Sequence, residues 1–403
     1  MPMDTATRTS AAEVATHSDL VTRATNLCEL LREDAAENDQ TRRLTDRVVK
    51  ELVNSGLLRL MTPRRWGGHQ ADLRTLLDVS IEIGRRCCAT AWVTGVLNVG
   101  NFVVSLFSER AQQEMWGDNP NASSALVLGR PAPDTEVVGG GVRISGRWPY
   151  ASGSLHADWM GMLVLVDRGE RPTPYFALVP MEQLTVTDAW HFVGMRGTGS
   201  NTVVGDRIFV PEHRLLPYLP VLHGETDGLI DPEHRYRNSL TGVFAIGLLG
   251  SLIGAADAAL RYVQDNAESR PVAGSTYRTQ ADSPTLQLDL ATAATMIDTA
   301  KLLAQGIIDR IESAAAANAN PDIQTRARAR MDSTEVTRLC REAMDVLITA
   351  YGSGAFHESN PLQRLWRDVH VGSRHAGFGM GIPQQVYGRA LVGRDPRDVS
   401  MLL

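Results

Sequence analysis

The sequence predicts a mainly helical protein with a central antiparallel β domain, because the spacing of apolar residues changes twice along the chain. Apolar residues recur every three to four positions over residues 18–120, the period of one helix face, and helical spacing resumes beyond about residue 238. Between these parts, short runs of branched residues alternate with glycine and proline turns, as in antiparallel strands. We therefore expect an N-terminal helical domain at residues 1–120, a middle β domain at 121–214 and a C-terminal helical bundle at 215–403.

The most apolar segment of the N-terminal part is residues 89–107, ATAWVTGVLNVGNFVVSLF. A helix that is apolar on nearly all sides is buried by several neighbours or lines a cavity. Trp92, Asn98 and Asn101 are its candidate substrate-cavity residues, and ordinary core packing explains them equally well.

The middle part contains six short runs rich in branched residues, at 125–128, 142–144, 162–166, 175–179, 184–186 and 203–210. Two stretches near them, GRWPYASGSLHADW (146–159) and WHFVGMRGTGSNTVVGDRIFVP (190–211), combine aromatic residues, glycines and hydroxyl groups. We expect the two stretches to frame one ligand, with the first as the wall of a cofactor site. Taken singly, Trp148 also suits a core position after a turn, and GMRGTGS is a tight turn because no strand-to-helix switch follows it.

Composition and charge exclude several classes of function. The formal net charge is −6 over 403 residues and no Lys/Arg-rich block occurs, so we expect no nucleic-acid partner. Four cysteines without CxxC or metal-ligand spacing predict a reduced, cytoplasmic location and no metal site. The first 14 residues are polar, which predicts a frayed terminus and no signal peptide.

Residues 241–260, TGVFAIGLLGSLIGAADAAL, approach the length of a membrane span. Ser251 and Asp257 interrupt the apolar run, and arginines stand at both ends, at Arg237 and Arg261. Without a charge bias between the ends, we expect a buried helix packed through its small residues, in the core or in a subunit interface, and no membrane partner.

The last clear helix carries two histidines. Asn360 is placed to cap it, Pro361 suits the first helical position, and residues 362–376 follow until Gly377. On a helical wheel, His370 borders the apolar face and His375 lies on the other side, so both reach one cavity only if the helix breaks at Gly372 between them. In isolation, both histidines are more typical of surface or hydrogen-bonded residues than of catalysts.

The ordered set of motifs resembles the acyl-CoA dehydrogenase fold, and within it the group D flavin-dependent monooxygenases. The set consists of GGHQADLRTLL, GRWPYASG, HADW, GMRGTGSNTVVGDRIFVP, Arg270 with Gln287, and RLWRDVHVGSRH, and it runs over about residues 18–395. The resemblance implies an acyl-CoA dehydrogenase-like architecture and a flavin as cofactor.

The resemblance also implies which residues bind the flavin. Trp148, Tyr150 and Ser152 are expected against the isoalloxazine, with the Ser152 hydroxyl near its N5; Ala151 stands where the family commonly has another serine. Further contacts with the flavin are expected from the GMRGTGS turn, through Arg196, Thr198 and Ser200. Arg270 is expected to reach the flavin from a neighbouring subunit, and Gln287 is a further expected contact.

One position separates dehydrogenase from monooxygenase. Dehydrogenases of this family remove a proton with a glutamate seven or eight residues after an Arg-Asp pair, and here residues 374–378, which follow Arg367-Asp368, contain no carboxylate. His375 stands there instead, and a neutral imidazole suits taking a proton from a substrate that attacks a flavin peroxide. His375 is thus the first candidate catalyst and His370 the second, with Ser152 assisting.

The implied activity is monooxygenation with O2 and reduced FMN or FAD, supplied by a separate flavin reductase, through a C4a-hydroperoxyflavin. The product would be a hydroxylated or N-oxygenated small biosynthetic compound: an aromatic, a polyketide, an indole or an amino sugar. Residues 98–101 lack the histidine that phenol hydroxylases of this group often carry, so a substrate other than a simple phenol is expected. A homotetramer is also implied. The alternatives are an acyl-CoA dehydrogenase-type oxidoreductase and a flavin-free scaffold.

Overall fold

The structure is a computed structural model that describes residues 15–132, 134–169, 171–225, 237–379 and 381–400. The predicted frayed terminus, residues 1–14, lies outside the described residues. Among the described residues, six α-helices precede the strands: α1 (His17–Asn26), α2 (Cys28–Thr41), α3 (Asp46–Asn54), α4 (Leu73–Gly84), α5 (Cys88–Val104) and α6 (Glu109–Trp116). Thr45 and Asp72 cap α3 and α4 by accepting hydrogen bonds from the backbone amides of Val48 and Thr75.

Helix α5 is the buried helix that the sequence predicts, since every one of its residues is buried. It can approach other elements closely because glycines remove side chains at the crossings. A Cβ placed on Gly95 would lie 1.8 Å from the carbonyl oxygen of Gly247, and one on Gly100 would lie 1.8 Å from that of Ser124. The helix is thereby fixed against both the helical bundle and the start of the β domain.

In the part of the chain that the structure describes, eight strands form two four-stranded sheets: β1 (Ser124–Ala132), β2 (Asp134–Val138), β3 (Gly141–Ala151), β4 (Trp159–Val166), β5 (Thr173–Pro180), β6 (Thr185–Thr187), β7 (Asn201–Pro211) and β8 (Leu215–Pro217). The sheet orders are β1-β4-β5-β8 and β2-β3-β7-β6. All pairs are antiparallel except β1 with β4. The six predicted strands are confirmed, while β2 and β8 were not predicted. The domain limits at residues 120 and 214 stay predictions.

Six α-helices follow within residues 218–225, 237–379 and 381–400: α7 (Tyr218–His223), α8 (Leu240–Asn266), α9 (Pro284–Ala316), α10 (Ile323–Tyr351), α11 (Pro361–Gly372) and α12 (Ile382–Leu391). By length and composition, residues 240–269 would be long and apolar enough to cross a membrane, but 83% of their most apolar window is buried within the protein. Helix α8 packs against α4, α5, α9 and α10. This agrees with the predicted buried helix.

Helix α11 ends earlier than predicted. The side chain of Asn360 accepts a hydrogen bond from the backbone amide of Leu362, as expected of the cap, but the helix stops at Gly372 instead of running to residue 376. Ser373 closes it, and His375 lies in the turn beyond. The helical-wheel position assigned to His375 is therefore wrong, and the break at Gly372 separates the two histidines.

Candidate active site

Four segments that are distant in sequence meet at one place: the end of β3, the turn before β7, helix α5 and the turn after α11. The indole Nε1–H of Trp92 on α5 donates to the Ser152 hydroxyl oxygen at 3.3 Å. A second contact of Trp92 is with His375, whose ring centroid lies 5.8 Å from that of the indole in an edge arrangement. Trp92 thus joins Ser152 and His375, two predicted catalytic residues, into one cluster.

A chain of hydroxyl groups leads from Ser152 into the interior. The Oγ atoms of Ser152 and Ser200 are 2.6 Å apart, and Ser200 Oγ is 2.6 Å from Thr198 Oγ1. Thr198 Oγ1 donates to the carbonyl oxygen of Met195 at 2.7 Å. Thr198 and Ser200 are buried and Ser152 is partly exposed, so Ser152 is the member of the chain that can touch a ligand. Contacts of Thr198 and Ser200 themselves with the flavin stay predictions.

Met195, which the sequence did not single out, holds the inner end of this chain. It has a left-handed backbone with φ 53, and its carbonyl accepts a second hydrogen bond from Trp190 Nε1 at 2.8 Å. Its amide donates to the Asp368 carboxylate at 2.6 Å. Burial raises the pKa of Asp368 to about 7, while the hydrogen bond from Met195 opposes this shift. The Arg-Asp pair was the only sequence signal that pointed to Asp368.

His375 lies among aromatic rings. The ring centroids of Phe244 and Phe378 lie 5.6 and 5.7 Å from its own, in addition to that of Trp92. Burial lowers the pKa of His375 to about 4, so the imidazole is neutral near pH 7. The Gly377 amide donates to its Nδ1 at 3.1 Å, which assigns the single ring hydrogen of the neutral form to Nε2.

His370, the second candidate, has other partners. Its Nε2 lies 2.9 Å from the Asp345 carboxylate, and its ring centroid lies 4.3 Å from that of Trp366. Arg374 donates to its carbonyl oxygen and lies 3.2 Å from its Nδ1. Within the described part of the chain, none of these contacts belongs to the cluster around Ser152. The structure therefore does not bring His370 together with His375.

The two aromatic residues of the first predicted flavin wall have opposite environments. Trp148 is 1% exposed, and its indole donates to the carbonyl oxygen of Leu163 at 3.0 Å. It is a core residue of the β domain, which corrects the expectation that it faces the isoalloxazine. Tyr150 is 63% exposed with φ 61, and its ring contacts those of Trp190 and Phe192 edge-on. Tyr150 remains available to a ligand.

Asn98 and Asn101 are structural residues, which corrects their assignment to the substrate cavity. Both are fully buried. The Asn98 amide donates to the carbonyls of Leu57 and Thr94 and accepts from the Met61 amide. Asn101 donates to the Leu58 carbonyl and the Thr62 hydroxyl, and accepts from the Ser124 amide. Their hydrogen-bonding capacity is used in fastening the 57–62 loop and β1 to α5, whereas Trp92 on the same helix does line the cluster.

Within one chain, the side chains of the other predicted flavin-binding residues, Arg196, Arg270 and Gln287, have partners outside this cluster. Arg196 Nε donates to the carbonyl of Asp39 on α2 at 2.8 Å. Arg270 donates to the Tyr351 carbonyl at 2.8 Å and its guanidinium lies 3.7 Å from the centre of that tyrosine ring. Gln287 donates to the Ala281 carbonyl on the surface. Their contacts with a flavin stay predictions.

The donor set of the cluster suits a flavin, which has flat apolar faces and a polar edge. Ser152 offers an oxygen at the surface, and the buried hydroxyl of its neighbour Ser154 has no hydrogen-bond partner among the described residues. The aromatic rings around His375 supply an apolar wall. Across the described residues, no group of three or more His, Cys, Asp or Glu side chains has the geometry to hold a metal ion.

Comparison with known proteins defines the class. Family models for the N-terminal and C-terminal domains of acyl-CoA dehydrogenase match residues 15–118 and 246–379. Together with the two helical regions and the β domain between them, these matches show that the chain belongs to the acyl-CoA dehydrogenase family.

Particular relatives narrow this class. The oxygenase component of FADH(2)-dependent resorcinol hydroxylase from Rhizobium sp. is 31% identical over 400 residues, covering 96% of this chain and 97% of the relative. The oxygenase subunit HsaA of a flavin-dependent monooxygenase from Rhodococcus jostii is 32% identical over 87% of this chain and 92% of its own. The structure of XiaF from Streptomyces sp. in complex with FADH2 and glycerol is 34% identical, covers 94% of this chain and 96% of its own, and has a TM-score of 0.89. The chain is a flavin-dependent monooxygenase, the oxygenase component of a two-component system.

Proposed function

We propose that this enzyme hydroxylates a small aromatic biosynthetic substrate with O2 and reduced FMN or FAD. When bound, the reduced flavin would supply oxygen transfer through its C4a-hydroperoxide. The observation that supports this proposal best is the cluster in which Trp92 joins the Ser152 hydroxyl to a neutral His375. A hydroxyl for the flavin edge and an imidazole for the substrate then both contact one indole.

Each residue of the cluster has a proposed task. Ser152, with Tyr150 beside it, binds the polar edge of the flavin. Trp92, Phe244 and Phe378 exclude water, because a peroxide that reaches water is lost as hydrogen peroxide. His375 directs its Nε2–H to an oxygen of the substrate and stabilises the negative charge of an ionised hydroxyl there.

The surroundings of His375 favour an aromatic substrate over an amino sugar. Three aromatic rings have centroids 5.6 to 5.8 Å from that of the imidazole, and such rings bind a flat apolar ring well. The sequence argument against a phenol rested on residues 98–101, and these are buried structural residues. A hydroxylated aromatic ring is therefore the proposed substrate class, and resorcinol, the substrate in the name of one relative, is the first compound to test.

Assembly would complete the site. A separate reductase is the proposed source of reduced flavin, as the relatives are components of two-component systems. We further propose a homotetramer in which Arg270 and Gln287 reach the flavin of a neighbouring subunit, since both lie away from the Ser152 cluster within one chain.

An anaerobic mixing experiment tests the proposed function. The protein is combined with dithionite-reduced FMN or FAD, oxygen is admitted, and the absorbance is followed over time. We expect a transient absorbance band to the blue of oxidised flavin, since the cluster would shield the oxygen adduct from water. Immediate appearance of oxidised flavin would contradict oxygen transfer, bleaching of bound oxidised flavin by an acyl-CoA would indicate a dehydrogenase, and failure to bind either flavin would indicate a scaffold.

A further inference from the structure

The hydroxyl chain behind Ser152 has a fixed direction. Three oxygen-to-oxygen contacts connect Ser152 to Ser200, Ser200 to Thr198, and Thr198 to the carbonyl of Met195. A carbonyl oxygen has no hydrogen to give, so the Thr198 hydrogen occupies the last contact. The Ser200 hydrogen must then occupy the contact with Thr198, and the Ser152 hydrogen the contact with Ser200. Each of the three hydroxyl hydrogens is assigned, and all point inward.

The direction of the hydrogen bond at the outer end of the hydroxyl chain, at Ser152, is also determined. The indole nitrogen of Trp92 can only donate, and it donates to Ser152 Oγ at 3.3 Å. One lone pair of Ser152 Oγ accepts this bond, and its hydrogen is directed to Ser200. What remains for a ligand is the second lone pair. Ser152 therefore presents an acceptor to the site and no donor, although a serine in general can do either.

An acceptor at this place distinguishes the two redox states of a flavin. Reduced isoalloxazine carries a hydrogen on N5, whereas the oxidised ring has a lone pair there. A serine held as an acceptor forms a hydrogen bond with N5–H of the reduced ring, but it places two lone pairs against each other when the ring is oxidised. An unmade hydrogen bond and a desolvated acceptor both weaken binding of the oxidised ring.

We propose that Ser200 and Thr198 are specificity-determining positioning residues, which hold Ser152 as an acceptor and so make the site select reduced over oxidised flavin. This inference rests on the proposed function, and it takes the flavin atom beside Ser152 to be N5, as the family resemblance implies. Ser200 and Thr198 are buried and act through Ser152. The selection suits an oxygenase that receives its flavin from another protein, because oxidised product flavin is then released while reduced flavin is retained.

The test compares the dissociation constants of the two redox states in Ser200→Ala. Without Ser200 Oγ, the Ser152 hydrogen loses its partner and can turn to a lone pair of oxidised N5. We expect the ratio of the constants for oxidised and reduced flavin to fall about tenfold or more, the size of one hydrogen bond gained or lost. Anaerobic ultrafiltration with oxidised and with dithionite-reduced FMN and FAD measures both constants without turnover.

Matched variants separate this effect from a loss of structure. Ser200→Thr keeps the hydroxyl and should retain the wild-type ratio. Ser80→Ala removes a buried hydroxyl on α4, outside the hydroxyl chain and the site, and should leave the ratio unchanged. Thr198→Val breaks the chain at its other link, which frees the Ser200 hydrogen, and should lower the ratio as well. If Ser200→Ala does not fold, the ratio measured in Thr198→Val tests the proposal instead.

The possible failures can be told apart. A wild-type protein that binds neither redox state overturns the proposed function and this proposal with it. Wild-type binding of reduced flavin, combined with a ratio in folded Ser200→Ala and Thr198→Val within twofold of the wild-type value, overturns the selection mechanism alone.

Discussion

The two ring nitrogens of His375 have different surroundings, and this difference decides what the imidazole can do. Nδ1 accepts a hydrogen bond from the Gly377 amide, so Nε2 carries the hydrogen of the neutral ring. The low pKa, about 4, keeps the ring neutral at any pH above about 5. A base role at Nε2 requires the other tautomer and the loss of the Gly377 hydrogen bond. The arrangement therefore favours His375 as a hydrogen-bond donor to the substrate over the proton acceptor that the sequence predicts.

Replacing His375 distinguishes the donor role from the base role. In His375→Ala we expect flavin oxidation to continue while product per flavin falls about tenfold or more, because the substrate oxygen loses its hydrogen bond. His375→Gln keeps an N–H near the position of Nε2 but cannot take a proton, so it should recover much of the lost product. The ratio of product to hydrogen peroxide, followed with a turned-over aromatic substrate between pH 5.5 and 8, measures this coupling.

Controls for this prediction come from the same region. His370→Gln should leave coupling unchanged, because His370 pairs with Asp345 outside the cluster. A glutamine variant at position 375 that is as uncoupled as the alanine variant would show that the histidine acts as a base. Unchanged coupling in His375→Ala would remove it from the site.

At the scale of helices and strands, short sequence patterns correctly predicted the features that depend on contacts between residues close in sequence. The cap at Asn360 and six of the strands follow from neighbouring residues in sequence, and the structure has them. The direction of side chains at the end of β3 could not be predicted, because strand alternation puts Trp148 and Tyr150 on one face. The left-handed backbone at Tyr150 and the irregular pairing with β7 break this alternation, which buries the tryptophan and exposes the tyrosine.

The crossing of α5 and α8 gives a test at this scale. Gly95→Ala would place a Cβ 1.8 Å from the Gly247 carbonyl oxygen, so the two helices must move apart. We expect a loss of unfolding free energy of about 3 kcal/mol or more, and a weaker Trp92 contact with Ser152, since Trp92 lies one turn away on α5. Chemical denaturation measures the first effect.

Gly388 on α12 is the matched control. It lies in a helix, and a Cβ there meets nothing within 4 Å. Gly388→Ala should therefore stabilise the protein by about 0.5 to 1 kcal/mol through the lower conformational entropy of the unfolded chain. Equal effects of the two substitutions would show that close approach of α5 and α8 is not what Gly95 provides.

At the scale of the whole molecule, the site is assembled by contacts that no sequence window contains. Ser152, Trp92 and His375 are separated by 60 residues or more in the chain, and the Met195 amide reaches Asp368 across 173 positions. Motif order identified the family, but the partners of each residue depend on how the three regions pack. The aromatic surroundings of His375 were missed for this reason, since Phe244 comes from α8.

The outer face of α9 is the place where subunit assembly can be tested. Uncharged residues recur there at intervals of three and four, and all are exposed: Leu288, Thr292, Thr295, Thr299 and Leu302. Leu288 and Leu302 are 69% and 67% exposed, an unusual position for leucine on a helix of 33 residues. This spacing forms one continuous stripe suited to a helix of a second copy of the chain, in keeping with the proposed homotetramer.

A double substitution, Leu288→Glu with Leu302→Glu, should disrupt this assembly because burying two carboxylates against a second copy is costly. We expect the mass in solution, measured by light scattering after size exclusion, to fall from that of a tetramer to that of a smaller species. Binding of reduced flavin should weaken in the same variant, because Arg270 and Gln287 would no longer reach a neighbouring site.

Val137→Glu, at an exposed position on β2, is the control and should retain both the tetramer and the binding of reduced flavin. A tetramer that persists in the double variant would exclude the α9 stripe as the interface, and a wild-type monomer that binds reduced flavin normally would show that each chain carries a complete site.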